Sequence, residues 1–319
     1  MKHPVITPGA ISPFIDPLTD FGFKHLLGSE PNKEIMIAFL NAIFAGKKEI
    51  VDLVFSPTEY AGSTDGYRKV FFDLMCTGKD GDQFVIEMQR REQEYFHDRC
   101  IYYLSRLISG QLPKGASNWD IEQLKEVYLI AILEFKFKNN DDDRYLHDIA
   151  LMNKDTGKVF YDRLGFKFLE LPNFDKEVHE LKSDLDKWFY ILKNMSQMEK
   201  IPVYLNEGIF EKLFKIAEVS KLTEEQRKIY ESNLKAKRDY ENTIAFARKE
   251  EGAKARELGR EEGIELGREE GIELGREEGI ELGQLKEKLA TALELKETGW
   301  PVDQISKITK LSIEEIEKL

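Results

Sequence analysis

The sequence predicts an α/β fold: a mixed sheet flanked by helices, followed by an α-helical C-terminal region. Two observations carry the sheet. Lys69 to Arg91 (KVFFDLMCTGKDGDQFVIEMQRR) holds two runs rich in aromatic and branched residues, separated by TGKDGD, whose Gly and Asp residues supply turn chemistry. Val127 to Phe137 (VYLIAILEFKF) is a near-continuous apolar run, the pattern of a strand buried on both faces. The helices rest on a third: from Gln93 to Ser109, and again beyond Asp175, apolar residues recur at helical spacing.

Composition sets the limits. The 319 residues suffice for one large domain or two smaller ones with a sizeable core. A net charge of −12 sits awkwardly with binding of phosphates, which calls on Lys and Arg. The acidity is concentrated, however. REEGIELG occurs three times between Arg260 and Gly283, and each copy carries one Arg and three Glu, so the repeats hold −6 of the total. A basic cleft elsewhere is compatible with the rest. Cys76 and Cys100 lack CxxC spacing and lie in apolar surroundings, which predicts buried free thiols in a reducing cytosol. The N-terminal MKHPVITPGAISPF has no long apolar core, and no run reaches the length of a membrane span. A cytoplasmic protein without a membrane partner is expected. The five His residues show no zinc-ligand spacing, and no P-loop or GxGxxG motif is present, which argues against an NTPase or dinucleotide enzyme.

Taken in order, Met1 to Ile15 is Pro-rich and reads as an extended arm. Thr19 and Asp20 stand where a helix N-cap belongs, before a short helix anchored by Phe21, Phe23, Leu26 and Leu27 and ending near Gly28. Pro31 suits the first position of a second helix, Pro31 to Phe44, in which Ile35, Phe39 and Ile43 recur every four residues. Ile50 to Phe55 is expected as a strand leading into the hairpin. After the hairpin, Phe96, Cys100, Tyr103 and Leu107 form one stripe of a helix, widened by Ile101, Leu104 and Ile108. Pro113 to Asn118 and Asn139 to Arg144 read as loops; Asp141, Asp142 and Asp143 lack the spacing of an EF-hand. Lys167 to Leu171 reads as a short strand. Asp175 to Met195 and Ile209 to Leu222 read as amphipathic helices, and Thr223 to Gln226 as the capping box of a long helix running past Phe246.

From Gly259 to Gly283, Gly falls at every fourth residue. Each Gly costs about 1 kcal/mol against Ala inside a helix. An eight-residue period also holds Ile264, Leu266 and their copies on no fixed seam. The segment reads as a flexible or weakly helical spacer, with a Gly-lined oligomerisation helix as the alternative. Leu285 to Lys296 regains helical pattern. The last segment, GWPVDQISKITKLSIEEIEKL, has helix–turn–helix character, with Ser312 capping Ile313 to Leu319. Its second helix carries Glu314, Glu315 and Glu317, a poor fit to a major groove, so protein contact or self-association is expected there.

The hairpin holds the candidate chemistry. Side chains alternate between faces along a strand, so Asp73 shares a face with Phe71 and Met75, and Glu87 with Val85 and Gln89. The register that opposes Asp73 to Glu87 makes Gly78 to Asp82 the loop. A register shifted by one residue puts the carboxylates on opposite faces unless a bulge intervenes. Two carboxylates and an amide on one face suit Mg²⁺, which is usually held by one or two carboxylates and keeps waters for the substrate. The plainer reading leaves Asp73, Glu87 and Gln89 on the wet face of a half-exposed hairpin. Glu134-Phe135-Lys136, a literal E-x-K ending the apolar run, ranks second because no Asp hairpin precedes it. Lys24 reads as a phosphate contact or a surface charge. Arg99 and Arg106 are the residues of their helix best able to touch a phosphate or a site carboxylate, and each also reads as a solvent-facing charge.

D-x13-E-x-Q in a hairpin, followed by a helix with Phe96, Arg99 and Tyr103, resembles the PD-(D/E)XK nuclease superfamily. FIDPLTDFGFKHLLG (Phe14 to Gly28), YLIAILEF and FKFLEL narrow the resemblance to the recombination-promoting nuclease/putative transposase family of bacteria, over roughly the first half of the chain. The usual Lys of D/E-x-K is Gln89 here, which leaves that Lys's role without a bearer. The resemblance implies a nuclease-like domain over 1–175, then a helical region over 176–250, the repeat spacer over 251–284 and a C-terminal helical hairpin over 285–319. It implies a metal-dependent DNA endonuclease linked to recombination or mobile elements. Mg²⁺ or Mn²⁺ would be held by Asp73, Glu87 and the Met88 carbonyl, with Gln89 orienting water or phosphate and Asp20 as an accessory. DNA is the expected partner, with a homo-oligomer through the C-terminal helices. The alternative is a catalytically weak or inactive nuclease fold that binds DNA or serves as an oligomeric interaction protein.

Overall fold

The apolar runs pair into one six-stranded mixed sheet. The structure, a computed structural model, describes residues 12–60, 70–111, 124–137 and 144–319. The arm before residue 12 and the expected loops at 113–118 and 139–143 lie outside the described residues. The strands are β1 (Leu53–Phe55), β2 (Glu59–Tyr60), β3 (Val70–Phe71), β4 (Leu74–Gly78), β5 (Gln83–Gln89), β6 (Val127–Leu133), β7 (Leu146–Met152) and β8 (Val159–Glu170). The helices are α1 (Asp20–Leu27), α2 (Lys33–Phe44), α3 (Phe96–Gly110), α4 (Asp184–Asn194), α5 (Gly208–Ala217), α6 (Glu224–Glu297), α7 (Val302–Thr309) and α8 (Ile313–Glu317). The sheet runs β1-β4-β5-β6-β8-β7, and β2 and β3 form a separate two-stranded ribbon.

The β4–β5 hairpin pairs Leu74 with Ile86 and Thr77 with Gln83, so its loop is Lys79 to Asp82, one residue shorter than the expected Gly78 to Asp82, and Asp73 lies at the level of Glu87. β5, β6 and β8 are parallel neighbours. Parallel strands require a crossover, and α3 supplies it between β5 and β6. β6 is buried at every position but Tyr128, as its unbroken apolar sequence requires.

Each sheet face has its own core, because strand residues alternate. Phe84 and Ile86 face the side covered by α1, α2, α4 and α5, where Phe39, Trp188, Phe189 and Phe214 are buried. Val85 faces α3, among Phe96, Cys100, Leu104 and Leu107. α4 and α5, set apart by sequence as a separate helical region, thus share the core of the sheet. Two compact units divide the chain at Met1–Arg238 and Asp239–Leu319.

Several expectations change. The run KVFFDLMC is two strands, not one. Phe72 and Met75 both enter the α3-side core while Leu74 enters the other, so alternation breaks at Asp73. Pro31 sits in a 3-10 turn ahead of α2. On α3, Ile101 is exposed and Arg106 is buried, which shifts the apolar stripe toward Leu104. β8 is much longer than the expected strand, and β7 was not anticipated. Glu134 to Lys136 lies beyond the end of β6, off any strand.

α6 continues as helix through the octapeptides, where the sequence reading favours a flexible or weakly helical spacer. Between its glycines the repeat offers Glu, Arg and Leu, all good helix formers, and Glu–Arg pairs three residues apart such as Glu265 and Arg268. In the second unit, Leu289, Ala292 and Leu295 of α6 meet Ile305, Leu311 and Ile316 of the terminal hairpin. Ser312 and Glu315 form the capping box of α8. Among the described residues, no helix is long and apolar enough to cross a membrane.

Candidate active site

The site lies where β5 outruns β4. β4 starts at Leu74, and β5 continues to Gln89. Asp73 closes the gap with its side chain: Met88 N–H donates to Asp73 Oδ2 at 2.8 Å, and Asp73 N–H donates to Glu87 Oε1 at 3.3 Å. Two carboxylates are thereby held side by side at the carboxyl end of a strand in the parallel part of the sheet, where ligands of α/β folds collect. Glu87 is 6% and Gln89 8% exposed, so these residues are buried beneath α3 instead of lining a wet face.

Burial, reinforced by the charge of Asp73, pushes the Glu87 carboxyl up to about 8; Arg99 and Lys24 oppose the shift. Burial also raises Asp73; the Met88 N–H, Lys24 and Arg99 offset part of that and Asp20 adds to it. Lys24 and Arg99 thus act on both carboxyls, and Asp20 on that of Asp73. Asp20 is not the helix cap. Thr19 is, accepting the Gly22 N–H at 3.0 Å. Asp20 instead pairs with Lys24 at 2.7 Å on an exposed turn of α1.

Gln89 uses both ends of its amide. Its Nε2 donates to the Arg91 carbonyl at 3.1 Å, and its Oε1 accepts from Arg99 at 2.6 Å. Arg99 also bonds Gln93 and lies 5.6 Å from the Phe96 ring centroid and 5.9 Å from that of Tyr103. A guanidinium offers only donors, so the Gln89 oxygen must face it. Gln89 therefore fixes the position of the Arg99 guanidinium.

A divalent cation is tested by the donor set. Among the described residues no group of three or more His, Cys, Asp or Glu side chains converges, so the protein offers two carboxylates here. Asp73 Oδ1 and Glu87 Oε2 accept no hydrogen bond among the described residues. A buried and a half-buried carboxylate, each with one such oxygen, fit a hard cation that retains waters.

A second polar cluster adjoins the first, built around Glu134 by partners distant in sequence that no local pattern marks. Glu134 N–H donates to the Gln89 carbonyl at 3.0 Å, and its side chain meets Lys237 at 3.3 Å and Arg90 at 3.9 Å. Lys237, from α6, also meets Asp16 at 3.0 Å. The Tyr230 hydroxyl accepts the Asp16 N–H at 2.7 Å, and Arg90 donates to the Leu18 carbonyl at 3.1 Å. The literal E-x-K is thus an ion-paired brace joining β6, α6 and the segment before α1, while Asp73, Glu87, Gln89, Asp20, Lys24 and Arg99 gather at the neighbouring site.

The comparisons with known proteins follow this geometry. No curated protein and no solved structure matches the chain. A family model described as PD-(D/E)XK nuclease family transposase matches residues 17–247, which include the whole sheet, the carboxylate pair, every member of the second cluster but Asp16, and the start of α6. By that match the chain belongs to the PD-(D/E)XK nuclease family of transposases.

Proposed function

We propose that this protein is a metal-dependent DNA endonuclease, with Asp73 and Glu87 as its metal ligands. The observation that carries the reading is the carboxylate pair itself: buried Glu87 and half-buried Asp73, tied through the backbone, with Asp73 Oδ1 and Glu87 Oε2 accepting no hydrogen bond among the described residues. The Met88 carbonyl would complete the protein's share of ligands. A bound Mg²⁺ or Mn²⁺ would supply a water activated near neutral pH and neutralise charge developing on the phosphate. Arg99, aimed by Gln89, would meet the scissile phosphate, and Lys24 an adjoining one. Asp20 would restrain Lys24. Buried free Cys76 and Cys100 agree with a reducing, cytoplasmic setting. Self-association would run through the C-terminal helices.

The test is cleavage of supercoiled and linear DNA by the full chain, with Mg²⁺, with Mn²⁺ and with chelator. Nicking or linearisation that needs the metal and stops with chelator is expected. One observation favours a second reading. The Gln89 amide is committed at both ends, to the Arg91 carbonyl and the Arg99 guanidinium, and it carries no positive charge of its own, so the protein would act chiefly as a DNA-binding or interaction protein. DNA binding without cleavage under every metal would select it.

A further inference from the structure

Beside the carboxylate pair lies a cleft of about 750 Å³ between the β2–β3 ribbon side of the fold and α3. Its volume is in the usual range for ligand sites, about 300–1,000 Å³. Four aromatic side chains line it: Phe71, Tyr95, Tyr102 and Tyr103. Phe71 is 61% and Tyr95 66% exposed, an expensive way to leave rings that no core claims. Arg99 lines the same cleft while donating to Gln89, so one guanidinium belongs to both the cleft and the site.

The charges decide what fits. Among the described lining residues Arg99 is the one Lys or Arg, and Glu94 and Asp98 face the cleft with it. A nucleic-acid backbone is held by several cations, and two carboxylates repel it. Bases are different. Every base has a π-face that stacks on Tyr or Phe, and Arg adds a cation–π contribution. Carboxylates accept hydrogen bonds from exocyclic amino groups of bases. A base can occupy this cleft only when it is out of the double-helical stack.

We infer that the cleft binds unpaired nucleotides of the DNA, stacking their bases on Tyr95, Tyr102 and Phe71 while the adjoining phosphate reaches Arg99 and the carboxylate pair. The inference rests on the nuclease reading for its placement of the phosphate, and it makes single-stranded or locally unpaired DNA the preferred substrate.

The experiment is fluorescence anisotropy with the full chain in chelator, using a labelled oligonucleotide of about 16 nucleotides, single-stranded or annealed to its complement. Single strand should bind at least about tenfold tighter than duplex, and Tyr95→Ala/Tyr102→Ala should weaken single-strand binding by about ten- to a hundredfold. Tyr95→Phe/Tyr102→Phe keeps the π-faces and should retain wild-type affinity. Both positions are solvent-accessible, and melting by circular dichroism checks that each variant is folded. Equal affinity for both forms, or no loss in the alanine pair, overturns the inference. Metal-dependent plasmid cleavage by the wild type separates the two readings. Cleavage without single-strand preference sinks the cleft and leaves the site standing. Tyrosine-dependent single-strand binding without cleavage supports the cleft and sinks the endonuclease.

Discussion

Gln89 shows most sharply what a single residue does here. Its oxygen holds Arg99 and its nitrogen the Arg91 carbonyl, so it acts through the guanidinium. Gln89→Lys would set an ammonium against that guanidinium and remove the acceptor. Gln89→Lys and Gln89→Ala should therefore both lower kcat, by about 10- to 100-fold, judged against the loss of one oxyanion donor. Steady-state cleavage rates check this, and wild-type turnover in the Lys variant would make the Arg99 contact incidental. Gly22 carries a second argument. A Cβ there would stand 2.0 Å from the Asp16 carbonyl and 2.8 Å from Thr19 Oγ1, and at Gly28 it would press on Leu74, next to Asp73. These approaches explain two glycines of FIDPLTDFGFKHLLG: Gly22 lets α1 close on the segment before it, and Gly28 lets its end close on β4. Gly22→Ala should cost about 1–3 kcal/mol by overpacking, read from urea denaturation.

At the scale of elements, the structure follows the sequence wherever periodicity and capping agree. Thr19, Thr223 and Ser312 cap the helices they were expected to open, with Thr223 and Gln226 bonding reciprocally. β7 escaped notice because it is an edge strand, half exposed, with no clean alternation. The break at Asp73 was hidden because it coincides with bonds between Asp73 and residues 14 and 15 positions away, Glu87 and Met88, that no local pattern marks. The cap of α4 makes a pH prediction. Burial opposes ionisation of Asp186, but Lys176, the Lys182 and Ser183 N–H groups and Tyr145 outweigh it and hold the carboxyl at about 2. The folded value lies below the unfolded one, near 3.8, so the stabilisation is full above that value. It is lost as pH falls toward 2. Asp186→Asn should lower stability at neutral pH and flatten this acid limb, as thermal melts across pH would show. An unchanged limb would assign acid sensitivity elsewhere.

At the scale of the whole molecule, the local arrangement of the candidate site was more legible than its frame. Asp73, Glu87, Gln89 and Arg99 fall within one short stretch, where hairpin register and helical spacing bring them together. The brace of Asp16 with Lys237 spans 221 positions, and no local pattern announces such a pair. It predicts where the chain can be cut. A chain ending at Phe246 keeps Tyr230, Asn233 and Lys237 and should retain its fold, while one ending at Leu222 should lose Tm and solubility. In the repeats, nothing stands within 4 Å of a Cβ built on any glycine from Gly259 to Gly283. Gly267→Ala with Gly275→Ala should therefore stabilise the helix, by about 1 kcal/mol per site. Helicity by circular dichroism and sedimentation velocity read the result. A loss of oligomer would show that the glycine stripe packs against a second chain.

The most direct test of the central claim compares two variants in one assay. Asp73→Ala removes a proposed metal ligand; Glu134→Ala removes the carboxylate of the competing E-x-K, which the structure uses as a brace. With supercoiled plasmid and Mg²⁺, and with folding confirmed for both proteins, Asp73→Ala should abolish cleavage and Glu134→Ala should retain it. Cleavage by Asp73→Ala and none by Glu134→Ala would contradict the account and move the active site to the end of β6.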